Sequence, residues 1–232
     1  MVIVAARNEA DRIADTLVAL AEAFPSAEVV VADDASSDGT AELALARGAQ
    51  VVSRRRPHGK GANVTAAAEA ALDGATDGAD SRPFLLCDAD LGSSAVELSA
   101  LVAALERPRC DVAVAAFRRR PGGGFGLTLG FARWAIERRC GYRAAAALSG
   151  QRAMRAAVLR DLLPFAPGYG LETAMTIDAV RTGYGVCELE LELEHRATGR
   201  SLGGFLHRGR QLLDIARAYL SRRRDAKLRS RP

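Results

Sequence analysis

Aromatic residues are scarce in this chain, at 5% of 232 residues with a single tryptophan. Binding of single-stranded nucleic acid leans on aromatic stacking platforms beside a basic groove. The basic excess is present, at a formal +4, but the platform is not, so nucleic acid is set aside as a partner. Long apolar runs are also missing: no stretch approaches the roughly 20 residues of a membrane-spanning helix. The start, "MVIVAARNEA", is apolar only briefly. It lacks a basic lead and a small-residue cleavage site, so it reads as a first strand and not as a signal peptide. A soluble, cytoplasmic protein is the expectation. Cysteine is limited to Cys87, Cys110, Cys140 and Cys187, with no C-x-x-C pair. Three of the four lie in or beside apolar runs, which favours buried thiols over zinc ligands or a disulfide framework.

What is present is apolar residues, at 49% of the chain, enough for one large core. The basic excess is uneven. "RRRP" occurs at Arg54–Pro57 and at Arg118–Pro121, and the stretch from Arg208 to Arg231 is strongly basic. Such patches suit acidic small molecules or an anionic membrane surface met through the tail; the plain alternative is a solvated, frayed end.

Apolar runs and helical periodicities alternate along the first half. "MVIVAA", "EVVVADD", "AQVVSR", "RPFLLCDAD" and "CDVAVAAF" read as strands. Between them lie helices, the first with Ile13, Leu17, Leu20, Ala21 and Phe24 on one face. Nearly continuous apolar strands separated by helices imply an α/β fold, with a mainly parallel sheet covered on both faces. After Phe117 comes a glycine-rich stretch, "RRRPGGGFGLTLGF". Helices are expected over "GFARWAIERRC", "SGQRAMRAAVLRDLL" and "LETAMTIDAVRTGYG", with "PFAPGYG" as a turn. "VCELELELEH" alternates strictly, as a strand with one buried face does. The expected organisation is one domain, with residues 1–117 binding a nucleotide, 118–205 supplying an acceptor half and 206–232 a basic helix or tail.

In open α/β sheets, ligands bind beyond the carboxyl ends of the strands. Three strand ends carry the residues for it: Asp33–Asp34, Gly59–Lys60–Gly61 and Asp88–Ala89–Asp90. Asp88 and Asp90 share a side if the strand stays extended. Two hard oxygen donors at that spacing suit a divalent cation, and Mg²⁺ commonly takes one or two carboxylates plus substrate phosphates. Capping of the next helix explains Asp90 equally well, but not Asp88.

Taken in order, "AARNEADRI", "VADDASSDGT" and "CDAD" resemble the motifs of GT-A nucleotide-sugar glycosyltransferases of the family 2 type. "RRRPGGG", "LSGQRAMR", "PFAPGYGLETAMTIDA" and "LEHRATGRSL" further resemble glucosyl-3-phosphoglycerate synthases and their mannosyl relatives. The resemblance implies a Rossmann-like GT-A fold, an Mg²⁺ or Mn²⁺ cofactor, and transfer of a hexose, glucose from a UDP-sugar, onto a small phosphorylated acceptor. It assigns Asp88, Asp90 and His195 to the metal, the histidine tilting the choice toward Mn²⁺. It assigns Ala5, Ala6, Arg7, Glu9, Asp34, Ser36, Lys60, Asp88 and Ala89 to the nucleotide-sugar. Gly123, Thr128, Ser149, Gly150 and Arg196 fall to the acceptor. Glu172 and Asp90 fall at the reacting centre.

Each role has a plainer counterpart. Asn8 and Glu9 also suit capping of the first helix, and an Asx-turn explains Asp38 and Gly39. Lys60 could be merely solvated, and Glu172 an acid at a helix start. Within the resemblance, Glu172 is either a general base or a sugar-binding carboxylate, leaving retention and inversion both open. "GGGFGLTLGF" is less polar than the acceptor loop of the phosphoglycerate enzymes. That departure raises a polyprenyl-phosphate hexosyltransferase as the alternative, beside a non-catalytic nucleotide-sugar-binding protein. A homodimer is entertained, with the oligomeric state open.

Overall fold

A computed structural model describes residues 1–73, 82–117, 126–194 and 202–222, with side chains from 209 in the last segment. Its strands are β1 (Val2–Ala6), β2 (Val29–Asp33), β3 (Gln50–Ser53), β4 (Pro83–Asp88), β5 (Val112–Phe117), β6 (Arg152–Arg155) and β7 (Val186–Leu191). Among the described residues the helices are α1 (Ile13–Ala23), α2 (Thr40–Ala46), α3 (Lys60–Asp73), α4 (Ser99–Ala104), α5 (Gly126–Cys140), α6 (Ala156–Leu162), α7 (Leu171–Arg181) and α8 (Leu202–Ser221).

The strands form one sheet in the order β3-β2-β1-β4-β6-β5-β7. All pairings are parallel except those of β6, which is antiparallel to both β4 and β5. Alternation along β1 shows how the sheet is covered. Val2, Val4 and Ala6 face a core with Ile13, Leu17 and Leu20 of α1 and Leu101 of α4. Ile3 faces the opposite core, with Val64 and Ala68 of α3, Leu159 of α6 and Met175 of α7. Near-continuous apolar strands are buried this way on both faces, as expected of a parallel sheet.

The same alternation sets the site. Cys87 points into the first core and burial pushes its thiol pKa up. Asp88, the next residue, therefore points toward the α3 and α7 side. Register puts Ala5 beside Asp88 and Ala6 beside Asp33, so β1, β2 and β4 end at one edge.

Several expectations change. The single helix expected over "SGQRAMRAAVLRDLL" is the strand β6 followed by α6. Helix-forming Ala, Arg and Met are overridden by two ladders closing on β6 from either side. The helix expected between β4 and β5, over "SAVELSALVAALE", begins as a 3₁₀ turn over Gly92–Leu98 before α4. On α1, Ala21 is exposed, and Thr16 and Ala19 are buried instead. Cys110 and Cys187 are joined in a disulfide, their Cα atoms 5.4 Å apart, and only Cys87 and Cys140 are free thiols. The pairing of β5 with β7 brings the two together across 77 residues of sequence. Finally, α8 starts at Leu202 and is docked rather than frayed up to Ser221: Ile215 and Ala218 are buried and the helix packs on α5 and α7. No helix among the described residues is long and apolar enough to cross a membrane.

Candidate functional site

The loops after β1 and β2 are laced together. The Asn8 backbone N–H donates to Ser36 Oγ at 2.9 Å, and Asn8 Oδ1 accepts from the Ser37 N–H at 3.0 Å. Glu9 N–H donates to Thr40 Oγ1 at 2.9 Å and Ala10 N–H to Asp38 Oδ2 at 3.1 Å. Asn8 thus bonds across to the second loop and does not cap α1; Glu9 meets α1 through its backbone carbonyl, which accepts from Arg12 and Ile13. Asp38 bonds the N–H and hydroxyl of Thr40, so its Asx-turn reading holds. Asn8 and Ala35 both sit at positive φ, 55° and 58°, where these loops turn back.

Asp34, nearly buried, accepts from the backbone N–H of His58 at 2.8 Å and of Gly59 at 3.2 Å. Arg7 lies 3.7 Å from the same carboxylate. Asp34 therefore organises the start of the Gly59–Lys60–Gly61 turn.

Lys60 is the centre of the site and is not a solvated lysine. Its Nζ lies 2.6 Å from Asp88 Oδ1 and 2.8 Å from Glu172 Oε1. The first turn of α3, the end of β4 and the first turn of α7 meet at this one ammonium. Burial alone would pull its pKa down, but the two carboxylates outweigh burial and raise it. Lys60 is therefore charged at any physiological pH. Glu172 is 5% exposed, so removing this partner would leave a buried carboxylate without its ion pair.

Gly150 shows how tightly the pair is enclosed. A Cβ there would sit 2.6 Å from Lys60 Nζ and 3.0 Å from Asp88 Oδ2. Its neighbours are polar and buried. Gln151 Nε2 donates to Asp88 Oδ2 at 3.1 Å, while Gln151 Oε1 and Ser149 Oγ have no partner among the described residues. A small cavity is lined by Lys60, Gly150, Arg152, Leu171, Glu172 and Met175. Arg152 is 1% exposed and its pKa is pulled down to about 10 by burial, against the carboxylates of Glu172 and Glu188 and the Tyr142 hydroxyl. It donates through Nε to the Ser149 carbonyl at 2.9 Å and through Nη1 to Thr176 Oγ1 at 3.0 Å. It thereby ties the Ser149–Gly150 loop to the helix that carries Glu172.

Beyond Asp88 the chain leaves the strand, so Ala89 and Asp90 lie in a turn and the extended spacing assumed for the two aspartates does not hold. Thr16 holds that turn, donating to the Ala89 carbonyl and accepting from the Gly92 N–H, each at 2.8 Å. Arg12 donates to the Asp90 carbonyl at 3.3 Å. Glu194 meets the next turn, its N–H donating to Ser94 Oγ at 2.9 Å. That brings the chain to the aspartate loop one residue before His195.

The loop before α7 is clamped from two sides. A Cβ on Gly61 would lie 1.9 Å from the Ala166 carbonyl oxygen, so α3 and the loop touch backbone to backbone. Thr65 Oγ1 accepts from the Phe165 N–H at 3.1 Å. On the other side, Asp214 of α8 accepts from the Tyr169 N–H at 3.1 Å beneath Gly168, whose φ is +63°.

The site thus gathers Ala5, Ala6, Arg7, Glu9, Asp34, Ser36, Lys60, Asp88, Ala89, Asp90, Ser149, Gly150 and Glu172 at one edge of the sheet. Thr128 is buried in the first turn of α5. Gly123, His195 and Arg196 lie outside the described residues. Sequence reasoning did not single out Thr16, Gln151, Arg152 or Asp214. The "GQR" following Ser149 was absorbed into a helix, and Thr16 and Asp214 look like ordinary helix residues.

The glycosyl transferase family 2 model matches residues 1–163. This chain belongs to glycosyl transferase family 2. As a family 2 glycosyltransferase it shares the GT-A fold of solved enzymes. A Mycobacterium tuberculosis glucosyl-3-phosphoglycerate synthase in complex with Mg²⁺ and UDP is 28% identical, with a TM-score of 0.76 over 95% of this chain and 78% of that one. The same enzyme with Mn²⁺, UDP-glucose and phosphoglyceric acid is 26% identical, with a TM-score of 0.75 over the same shares. An undecaprenyl-phosphate mannosyltransferase of Micrococcus luteus is 29% identical over 96% of this chain and 95% of its own.

The residues present fit a divalent cation bound with a diphosphate. Asp88 and Asp90 supply hard oxygen donors, the Asp88 side chain is 30% exposed, and each carboxylate oxygen can accept more than one bond. No group of three metal-ligating side chains occurs among the described residues. The donor set would then be the two aspartates plus substrate oxygens, with His195 as the third protein ligand expected from sequence.

Proposed function

We propose that this glycosyltransferase moves a hexose, glucose from UDP-glucose, onto a small phosphorylated acceptor. The observation that carries the reading is the Lys60 ammonium bridging Asp88 and Glu172, with Gly150 left bare against it. A donor diphosphate would lie along the edge formed by β1, β2 and β4, its nucleoside against Arg7, Glu9, Asp34 and Ser36. Asp88 and Asp90, with His195, would hold Mg²⁺ or Mn²⁺, which neutralises charge developing on the leaving diphosphate. Lys60 supplies a fixed positive charge beside the same phosphates and needs no reorganisation to do so. Glu172 faces the space beside Gly150, where a sugar hydroxyl would find it as an acceptor. Ser149 Oγ and Gln151 Oε1, buried without partners among the described residues, offer further hydrogen bonds to sugar or acceptor. Lys60 already occupies a lone pair of Glu172, which favours the sugar-binding role for that carboxylate over a general base. A cytoplasmic location accompanies this reading as an expectation.

A second reading takes a polyprenyl phosphate as acceptor. It is favoured by the apolar "GGGFGLTLGF" sequence and by the near full-length likeness to the Micrococcus luteus enzyme. Both readings share the donor site and differ in the acceptor.

The test is a thermal melt with UDP-, GDP- and ADP-sugars, each with Mn²⁺ and with chelator. At about 100 times its Kd, a ligand of the folded state stabilises by ~2.7 kcal/mol. A metal-dependent rise with UDP-glucose, lost in Asp90→Ala, is expected. Product formation with 3-phosphoglycerate against a short polyprenyl phosphate then decides the acceptor. No rise with any donor in the presence of metal overturns the assignment.

A further inference from the structure

α5 and α8 lie side by side, and among the described residues nothing covers an apolar face along them. Leu127, Phe131 and Trp134 follow one another at i, i+4 and i+7 along α5, and Leu213 and Leu220 do the same at i and i+7 on α8. Leu127 is 85% exposed, Trp134 49%, Leu213 58% and Leu220 53%. The two stripes are joined by an aromatic run: Phe131 stacks on Trp134 at 5.6 Å between centroids, and Trp134 meets Tyr219 at 5.0 Å. Scattered exposed leucines need no explanation, but a contiguous exposed patch marks an interaction site. Cationic side chains lie beside it, together with Glu137 of α5, which is paired with Arg143. Arg139 lies 3.5 Å over the Tyr219 ring. Arg138 and Arg210 are exposed on the flanks. Asp214 of α8 is engaged by the Tyr169 N–H and by Arg217, which is exposed on the same stripe between Leu213 and Leu220.

We propose that the α5–α8 face seats this enzyme on an anionic lipid bilayer. Tryptophan and tyrosine, apolar in body and polar at the tip, settle at the headgroup boundary. Leucines beside them enter the acyl region, and a rim of arginines meets the negative surface. A second copy of the chain would bring the same arginine rim against itself, so charge favours lipid over self-association. The inference concerns where the enzyme sits and holds with either acceptor.

The single tryptophan is the reporter. Full-length protein is titrated with vesicles of phosphatidylcholine alone or with about one third phosphatidylglycerol, with no nucleotide sugar present. A blue shift of Trp134 emission and cosedimentation with the anionic vesicles are expected, both weakened in high salt. Leu213→Gln/Leu220→Gln lowers partitioning roughly tenfold or more. Arg138→Gln/Arg210→Gln lowers it about thirty-fold. All four positions are exposed, so circular dichroism and melting should match the parent and show that the loss is one of docking. Absence of shift and cosedimentation with anionic vesicles overturns the proposal. So does a blue shift that grows with protein concentration without lipid, which sedimentation velocity would trace to a second copy. Because no donor is used, neither result touches the transfer reaction itself.

Discussion

Replacing Lys60 by methionine removes a cation shared by Asp88 and Glu172 while keeping most of the side-chain volume. The two carboxylates then face each other across the space that the ammonium filled at 2.6 and 2.8 Å. Breaking a buried ion pair from one side costs about 3–5 kcal/mol. Water reaches Asp88, whose side chain is 30% exposed, but hardly reaches Glu172, at 7%. Discounting for the Asp88 side leaves ~3 kcal/mol, dominated by Glu172. For a chain of this size that is a fall of roughly 6–12 °C in Tm. Adding Glu172→Gln to Lys60→Met should restore most of the loss, because the stranded charge is then gone. The pH dependence has a definite sign. The folded-state pKa of Lys60 is raised, so its stabilisation is complete below the unfolded value of about 10.4 and is lost as pH rises beyond it. The gap between parent and Lys60→Met should therefore be flat from pH 6 to 9 and narrow above about pH 10.4. Calorimetry over that range is the assay. A Lys60→Met protein melting within about 1 °C of the parent at pH 7.5, or no recovery in the double variant, refutes the reasoning.

Gly150→Ala puts a methyl group 2.6 Å from Lys60 Nζ; transfer activity should fall at least tenfold with the fold retained, measured as product formed at saturating donor. Thr16→Val removes both hydrogen bonds that hold the Ala89–Gly92 turn and should cost ~1–3 kcal/mol in denaturant melts, with weaker metal-dependent donor binding. Gly168→Ala combines a φ of +63° with a contact 2.1 Å from Asp214 Oδ2. It should destabilise by ~2 kcal/mol or more and lower kcat, whereas Gly130→Ala, in the interior of α5 with open space around its Cβ position, should stabilise by about 0.5–1 kcal/mol and leave kcat unchanged.

The sheet was legible because parallel strands buried on both faces must be apolar throughout, and β1, β2, β4 and β5 are. β6 was not, since "RAMR" carries no strand signal of its own; only β4 and β5 on either side make it one. The Asp38 turn was readable because its bonds reach two residues. The Lys60–Glu172 pair spans 112 residues, and nothing local to either residue names the other. Asp88, Lys60 and Glu172 could each be singled out from the loops they occupy, but not joined. The cysteines failed in the same way: the β5–β7 register that unites Cys110 with Cys187 is a property of the sheet, not of the spacing.

The loop from Phe165 to Gly170 is packed backbone to backbone on two sides, its Ala166 carbonyl against Gly61 of α3 and its Gly170 against the Asp214 carbonyl of α8. Backbone contacts of this kind leave no side chain to swing aside and absorb a displacement. A push on α8 from outside would pass through Asp214 to Tyr169, and within three residues to Glu172. α8 and the Glu172 carboxylate are in this sense two ends of one short strut. Whatever α8 touches is mechanically adjacent to the chemistry.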